Sequence, residues 1–170
     1  MKKIALFSLL LMAFNTFAFE KKHGFVRANL SATTVSSDGF NGTNIYGGLV
    51  PSYGLKLGAQ LHKNFSLAGG FQTHSDSENN LKASFFNILS ELNYHLDSYG
   101  SLYMGPRLGI ASAKTNSNRE TGLLYGVGLG YNFPIGERFT VGIDSNYTMT
   151  KINSTDVKFF DLGITGSFLF

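Results

Sequence analysis

The sequence predicts an all-β chain folded as an eight-stranded antiparallel transmembrane β-barrel, an up-and-down meander. Three observations predict it. Apolar and polar residues alternate with period two through most of the chain, tight turns alternate with longer polar connections, and aromatic residues gather at both ends of the alternating segments.

The alternation is plainest in the second strand, Leu49 to Leu61. Leu49, Pro51, Tyr53, Leu55, Leu57, Ala59 and Leu61 share one face, and Val50, Ser52, Gly54, Lys56, Gly58 and Gln60 the other. A strand separates its side chains this way; a helix does not. The first strand spans Gly24 to Thr33, with Val26, Ala28, Leu30 and Ala32 on its apolar face. The third spans Phe65 to Thr73, the fourth Ala83 to Leu96 and the fifth Ser101 to Ala113. The sixth spans Leu123 to Phe133, the seventh Arg138 to Met149 and the eighth Lys158 to Phe170.

His62-Lys63-Asn64, Asp97 to Gly100 and Pro134 to Glu137 read as tight turns. Thr34 to Gly48, His74 to Lys82, Lys114 to Gly122 and Thr150 to Val157 read as longer polar loops. Short turns at one end and long loops at the other fit a barrel whose turns lie in the periplasm. Closure is required, because lipid cannot satisfy an open sheet edge.

Composition narrows the class further. The 170 residues suit one domain, and the absence of cysteine excludes disulfides, thiolate metal sites and a lipid-anchored cysteine. Only 15% of residues are charged, where a soluble domain carries about a quarter. Residues 1–18 read as a cleaved signal peptide: Lys2 and Lys3, the apolar run Ile4 to Phe14, then Thr16-Phe17-Ala18. Residues 19–170 form the barrel domain. Without Lys2 and Lys3 the 14 basic residues fall to 12 against 11 acidic, a net charge of +1. That balance gives a nucleic-acid partner no electrostatic basis.

Alternation does not say which face is inside. A soluble barrel is apolar within; a membrane barrel inverts this. The polar face here is small, with Gly126, Gly128 and Gly130 forming a glycine track, as a narrow lumen requires. Tyr53, Phe71, Phe86, Tyr125, Tyr147 and Phe160 lie toward the loop end of the apolar face. Phe65, Tyr94, Tyr131, Phe133, Phe139, Phe168 and Phe170 lie toward the turn end. Two aromatic girdles around an aliphatic belt mark two lipid–water interfaces.

With its signal peptide, strand count, turn–loop alternation, girdles and terminal Phe170, the chain resembles the small eight-stranded outer-membrane β-barrel family. That family includes the OmpA transmembrane domain, the OmpX/Ail adhesins and porin-like barrels. The resemblance covers Phe19 to Phe170 and implies the bacterial outer membrane, with lipopolysaccharide around the barrel. It also implies that Phe160, Leu162, Ile164, Phe168 and Phe170 form the C-terminal signal read by the barrel-assembly machinery. No domain follows Phe170, so no cell-wall tether is expected.

On the lumen face lie Arg27, Lys56, Glu91, Arg107, Asp144 and Asp161, three of each sign. Charges in a narrow lumen are costly unless paired, so the balance predicts a salt-bridge network that plugs the barrel. The alternative is that some sit in water near the rims. If Asp97 pairs with Ser101, Glu91 faces Arg107 directly across adjacent strands. His74-Ser75-Asp76 offers hydrolytic residue types, but adjacency in sequence does not make a triad. Asp38, Asp76, Glu78 and Asp156 are too dispersed for a calcium site. The expected role is structural, or surface interaction with a host or surface ligand through the loops, with no catalysis, cofactor or metal. A narrow pore for small solutes and a lipid A-modifying enzyme are the alternatives.

Overall fold

The computed structural model describes residues 23–40, 43–74, 84–96, 101–114, 119–152 and 154–170. The signal peptide, Ser75 and Asp76, and the turn at Asp97 to Gly100 lie outside the described residues. The strands are β1 (Gly24–Phe40), β2 (Thr43–His62), β3 (Phe65–His74), β4 (Ser84–His95), β5 (Leu102–Lys114), β6 (Arg119–Ile135), β7 (Phe139–Ile152) and β8 (Thr155–Leu169). Each pairs antiparallel with the next, and β1 pairs with β8 to close the barrel. The last residue joins the seam: Gly24 N donates to Phe170 O, and Phe170 N to Gly24 O, both at 2.9 Å.

The alternating side chains sort into two environments. Leu57, Ile143 and Leu162 are 61, 52 and 58% exposed, whereas Glu91 and Arg107 on neighbouring strands are 1 and 2% exposed. The apolar face is outside and the polar face inside, the inversion a bilayer requires. Even the shortest strand, β3 at 10 residues, suffices for a tilted crossing.

Three connections expected to be loops are largely strand. The Thr34 to Gly48 segment is a continuation of the β1–β2 hairpin: Ser36 pairs with Tyr46, Ser37 with Ile45 and Phe40 with Thr43, after a register shift. In the Thr150 to Val157 segment Ile152 pairs with Thr155, leaving a two-residue turn in which Ser154 has φ 65°. A left-handed residue there matches the twist of a tight hairpin. In the Lys114 to Gly122 segment Lys114 pairs with Arg119, so β6 begins four residues earlier than its apolar pattern does. Strands beyond the lipid are wetted outside and lose the apolar alternation that identifies them. At the opposite end β6 runs through Pro134 to Ile135, and the turn is Gly136 to Arg138, with Gly136 at φ 78°.

The lumen is layered. Toward the loop end the inward side chains are apolar: Val35, Val50, Phe85, Leu89, Leu124, Ile152, Val157 and Phe159 form one buried cluster with Ala111 and Ala113. This corrects the expectation of a polar lumen throughout. The charged residues form the middle layer, and the turn end is a polar vestibule. Between charges and apolar cap, the cavity lined by Lys56, Leu89, Arg107, Leu124 and Asp161 holds about 10 Å³, room for a single water.

Candidate functional site

Four of the six lumen charges converge. Glu91, on β4, lies 2.9 Å from Lys56 Nζ, 3.2 Å from Arg107 Nε and 3.7 Å from Arg27 Nη1. All four side chains are buried. Glu91 and Arg107 are direct register partners on β4 and β5. Arg27 and Lys56 are register partners on β1 and β2, a placement in which like charges repel unless an anion lies between them. Glu91 is that anion. It reaches from β4 past β3 because β3 contributes only small residues there: Gly70 pairs with Lys56 and Ala68 with Glu91.

Amides complete the cluster. Arg107 Nη1 donates to Asn93 Oδ1 at 2.8 Å and its Nε to Asn146 Oδ1 at 3.2 Å. Asn93 Nδ2 donates to Glu91 Oε1 at 3.3 Å. Arg27 lies between two rings, 5.1 Å from the Phe25 centroid and 5.0 Å from that of Tyr103, and donates from Nη1 to the Tyr103 hydroxyl at 3.2 Å. The glycine track makes this possible. A Cβ on Gly128 would stand 2.2 Å from Arg107 Nη2, and one on Gly130 2.4 Å from the Tyr103 hydroxyl. The two large side chains cross the lumen through space those glycines leave open.

Asp144 and Asp161 stand apart from the cations: among the described residues no lysine or arginine forms a salt bridge with either. Asp144 Oδ2 accepts from Asn146 Nδ2 at 3.3 Å. Asp161 accepts from the Thr33 hydroxyl and from Gln72 Nε2 at 3.1 Å, and lies 3.9 Å from His74 Nδ1. Period-two reasoning did not single out Tyr103, Gln72, Asn93 or Asn146, although each shares the inward parity of the charges.

The His74–Asp161–Thr33 grouping has the residue types of a hydrolase but not the arrangement. Hydroxyl and carboxylate both approach Nδ1, while Nε2 meets Asn87 Nδ2 at 3.0 Å. A triad needs the hydroxyl on the nitrogen opposite the carboxylate. His74 also stacks on Phe159 of the apolar cap, 5.1 Å between centroids, and is 1% exposed. Among the described residues no cluster of His, Cys, Asp or Glu could hold a metal.

On the outside, Tyr53, Phe71, Phe86, Tyr125, Tyr147 and Phe160 are exposed toward the loop end, and Phe65, Tyr94, Tyr131, Phe133, Phe139 and Phe170 toward the turn end. Several touch across strands, as Phe65 with Tyr94 at 5.1 Å, Phe71 with Phe86 at 5.9 Å and Phe139 with Phe168 at 5.0 Å. Beyond the loop-end girdle, Lys114, Arg119, Lys151 and Lys158 occupy outward positions on β5, β6, β7 and β8. Asp156 is the one acidic residue among the outward loop-end positions described on those strands.

The model of the outer membrane protein beta-barrel domain matches residues 4–170. A search of curated proteins finds no match. Among solved structures the barrel is similar to Neisserial surface protein A (NspA), at 15% identity and a TM-score of 0.77, over 89% of this chain and 100% of that one. It is also similar to Ail, the attachment invasion locus protein of Yersinia pestis, at 16% identity and a TM-score of 0.58, over 88% of this chain and 100% of that one. Ail in complex with the heparin analogue sucrose octasulfate matches at 17% identity and a TM-score of 0.62, over the same shares. At such identities the likeness is one of fold. From the family match together with the closed, inverted eight-stranded barrel, the chain belongs to the outer membrane protein beta-barrel domain family.

Proposed function

We propose that this outer-membrane barrel is non-enzymatic and acts structurally or in surface interaction through its loop end, after export by the signal peptide of residues 1–18. The observation that carries this reading is the filled lumen. An apolar cap over a four-charge cluster, with about 10 Å³ of space between, favours a plug over a pore. A lipid A-modifying role is disfavoured by the burial of His74 beneath Phe159 and its unsuitable hydrogen bonds.

The partners follow from the outer surface. Lys158 lies two residues beyond Phe160, about 7 Å further along the strand. The basic arc on β5 to β8 therefore sits at headgroup level, suited to the phosphates of lipopolysaccharide. The long β1–β2 hairpin offers a surface for a host or environmental ligand, and the sulfated saccharide bound by Ail suggests a class of probe. The barrel-assembly machinery is the partner in biogenesis, through Phe160, Leu162, Ile164, Phe168 and Phe170.

Planar-bilayer recording of refolded protein tests the plug. No discrete openings are expected; stable unitary steps would overturn the reading in favour of a pore. Mass spectrometry of lipid A from expressing cells should show unaltered acylation, and a new lipid A species would overturn the non-enzymatic assignment.

A further inference from the structure

Below the charge cluster the lumen widens into a cavity of about 270 Å³ at the turn end. The cap closes the opposite end, so this is a blind pocket, opening on the side where the turns lie. Its lining includes the cations Arg27 and Lys63 and no aspartate or glutamate among the described residues. Arg27 is held rigidly at the floor. Its faces are covered by Phe25 and Tyr103, its Nε donates to Ser167 Oγ at 3.0 Å, and Nη1 is engaged by Tyr103. Its Nη2 has no hydrogen-bond partner among the described residues. Asn132, also buried, lines the pocket from β6. Phe25 and Leu169, register partners on β1 and β8 beside Arg27, give the pocket an apolar wall. The cavity thus joins a preorganised cation to an apolar wall within a mainly polar lining.

We propose that this vestibule binds a small organic anion from the periplasmic side: a carboxylate on a short apolar body. The carboxylate takes Nη2 of Arg27 and the field of Lys63, a charge-assisted contact to a guanidinium. The body lies against Phe25 and Leu169. The site is independent of the surface role, because it sits at the other end of the barrel behind the plug.

The test is a titration of 15N-labelled barrel, refolded in lipid nanodiscs, with sodium butyrate. The Nε–H signal of Arg27 and the side-chain amide of Asn132 report. Butyrate should give saturable shifts of both; 1-butanol at the same concentration should give none, and inorganic phosphate weaker ones. Lys63→Gln, at the exposed rim, should weaken binding about two- to five-fold, the range of a partly screened ion pair. Thr140→Phe, which fills the cavity from β7, should abolish the shifts while the barrel remains folded by gel mobility. Arg27→Gln is avoided as the sole variant because Arg27 also belongs to the charge cluster. Equal response to butanol, a linear response to butyrate, phosphate binding as tight as butyrate, or persistence in Thr140→Phe would each overturn the proposal.

Discussion

Replacing Glu91 by glutamine should destabilise the barrel more than breaking an ordinary ion pair. At contacts of 2.9, 3.2 and 3.7 Å and an effective dielectric of about 20, each cation is attracted to Glu91 by about 4–6 kcal/mol gross. Desolvation of the buried charges cancels much of that, and losing one partner of a single buried pair costs about 3–5 kcal/mol. Glu91→Gln strands three cations, two of them directly opposite in register, so the loss should reach about 5 kcal/mol, the top of that range. Second changes should rescue unequally. Lys56 has Glu91 as its partner, whereas Arg107 also holds Asn93 and Asn146. Lys56→Met should therefore recover more of the loss than Arg107→Leu, which orphans two amides. Because the chain contains no tryptophan, the folded fraction is best read from gel mobility of unboiled samples across a urea series in vesicles. Additive losses in both double mutants would refute the shared-anion argument. Conductance should stay absent in all of them, since the apolar cap is untouched.

Three further outcomes follow from the same geometry. Leu57→Arg and Ile143→Arg, on the lipid face, should each cost about 2–4 kcal/mol in urea titration, against little for Glu137→Arg in the β6–β7 turn. Gly128→Val drives a side chain into Arg107 and should lower stability comparably to a core overpacking change, about 1–3 kcal/mol; a neutral result would mean Arg107 does not cross the lumen there. Deleting Phe170 removes two backbone hydrogen bonds to Gly24 and the final residue of the closing strand, so pulse-chase assembly in cells should slow and leave protease-sensitive chains.

Within the bilayer the strands were legible because lipid forces an apolar outer face and a narrow lumen forces small or paired inner residues, which yields a two-residue period. The neighbouring placement of Glu91 and Arg107 was legible too, since face parity together with an Asp97–Ser101 pairing across the turn gives it. The approach of Lys56 to Glu91 was not. It depends on β3 contributing Ala68 and Gly70 between them, a coincidence of register in two separate hairpins. Ser36, Ser37, Thr43 and Asn44 look like turn residues because their types are those of turns and none continues the apolar alternation. The apolar cap escaped notice for the opposite reason. Val50 and Phe85 each interrupt a polar face singly, and Phe159 does so only beside Val157, so their meeting appears only when the barrel closes.

Seven of the eight strand pairings join neighbours in sequence and can form as local hairpins, but the β1–β8 seam joins residues as distant as Phe25 and Leu169. The interior depends on that seam: Arg27 reaches Ser167 across it, and Thr33 reaches Asp161. Until the ends meet, Arg27 has lost a partner and the cations face either lipid or an open water-filled trough. A half-built barrel is thus poor both as a soluble chain and as an inserted one. Side-chain satisfaction is deferred to the step with the greatest loop-closure cost, which makes insertion and closure a single cooperative event.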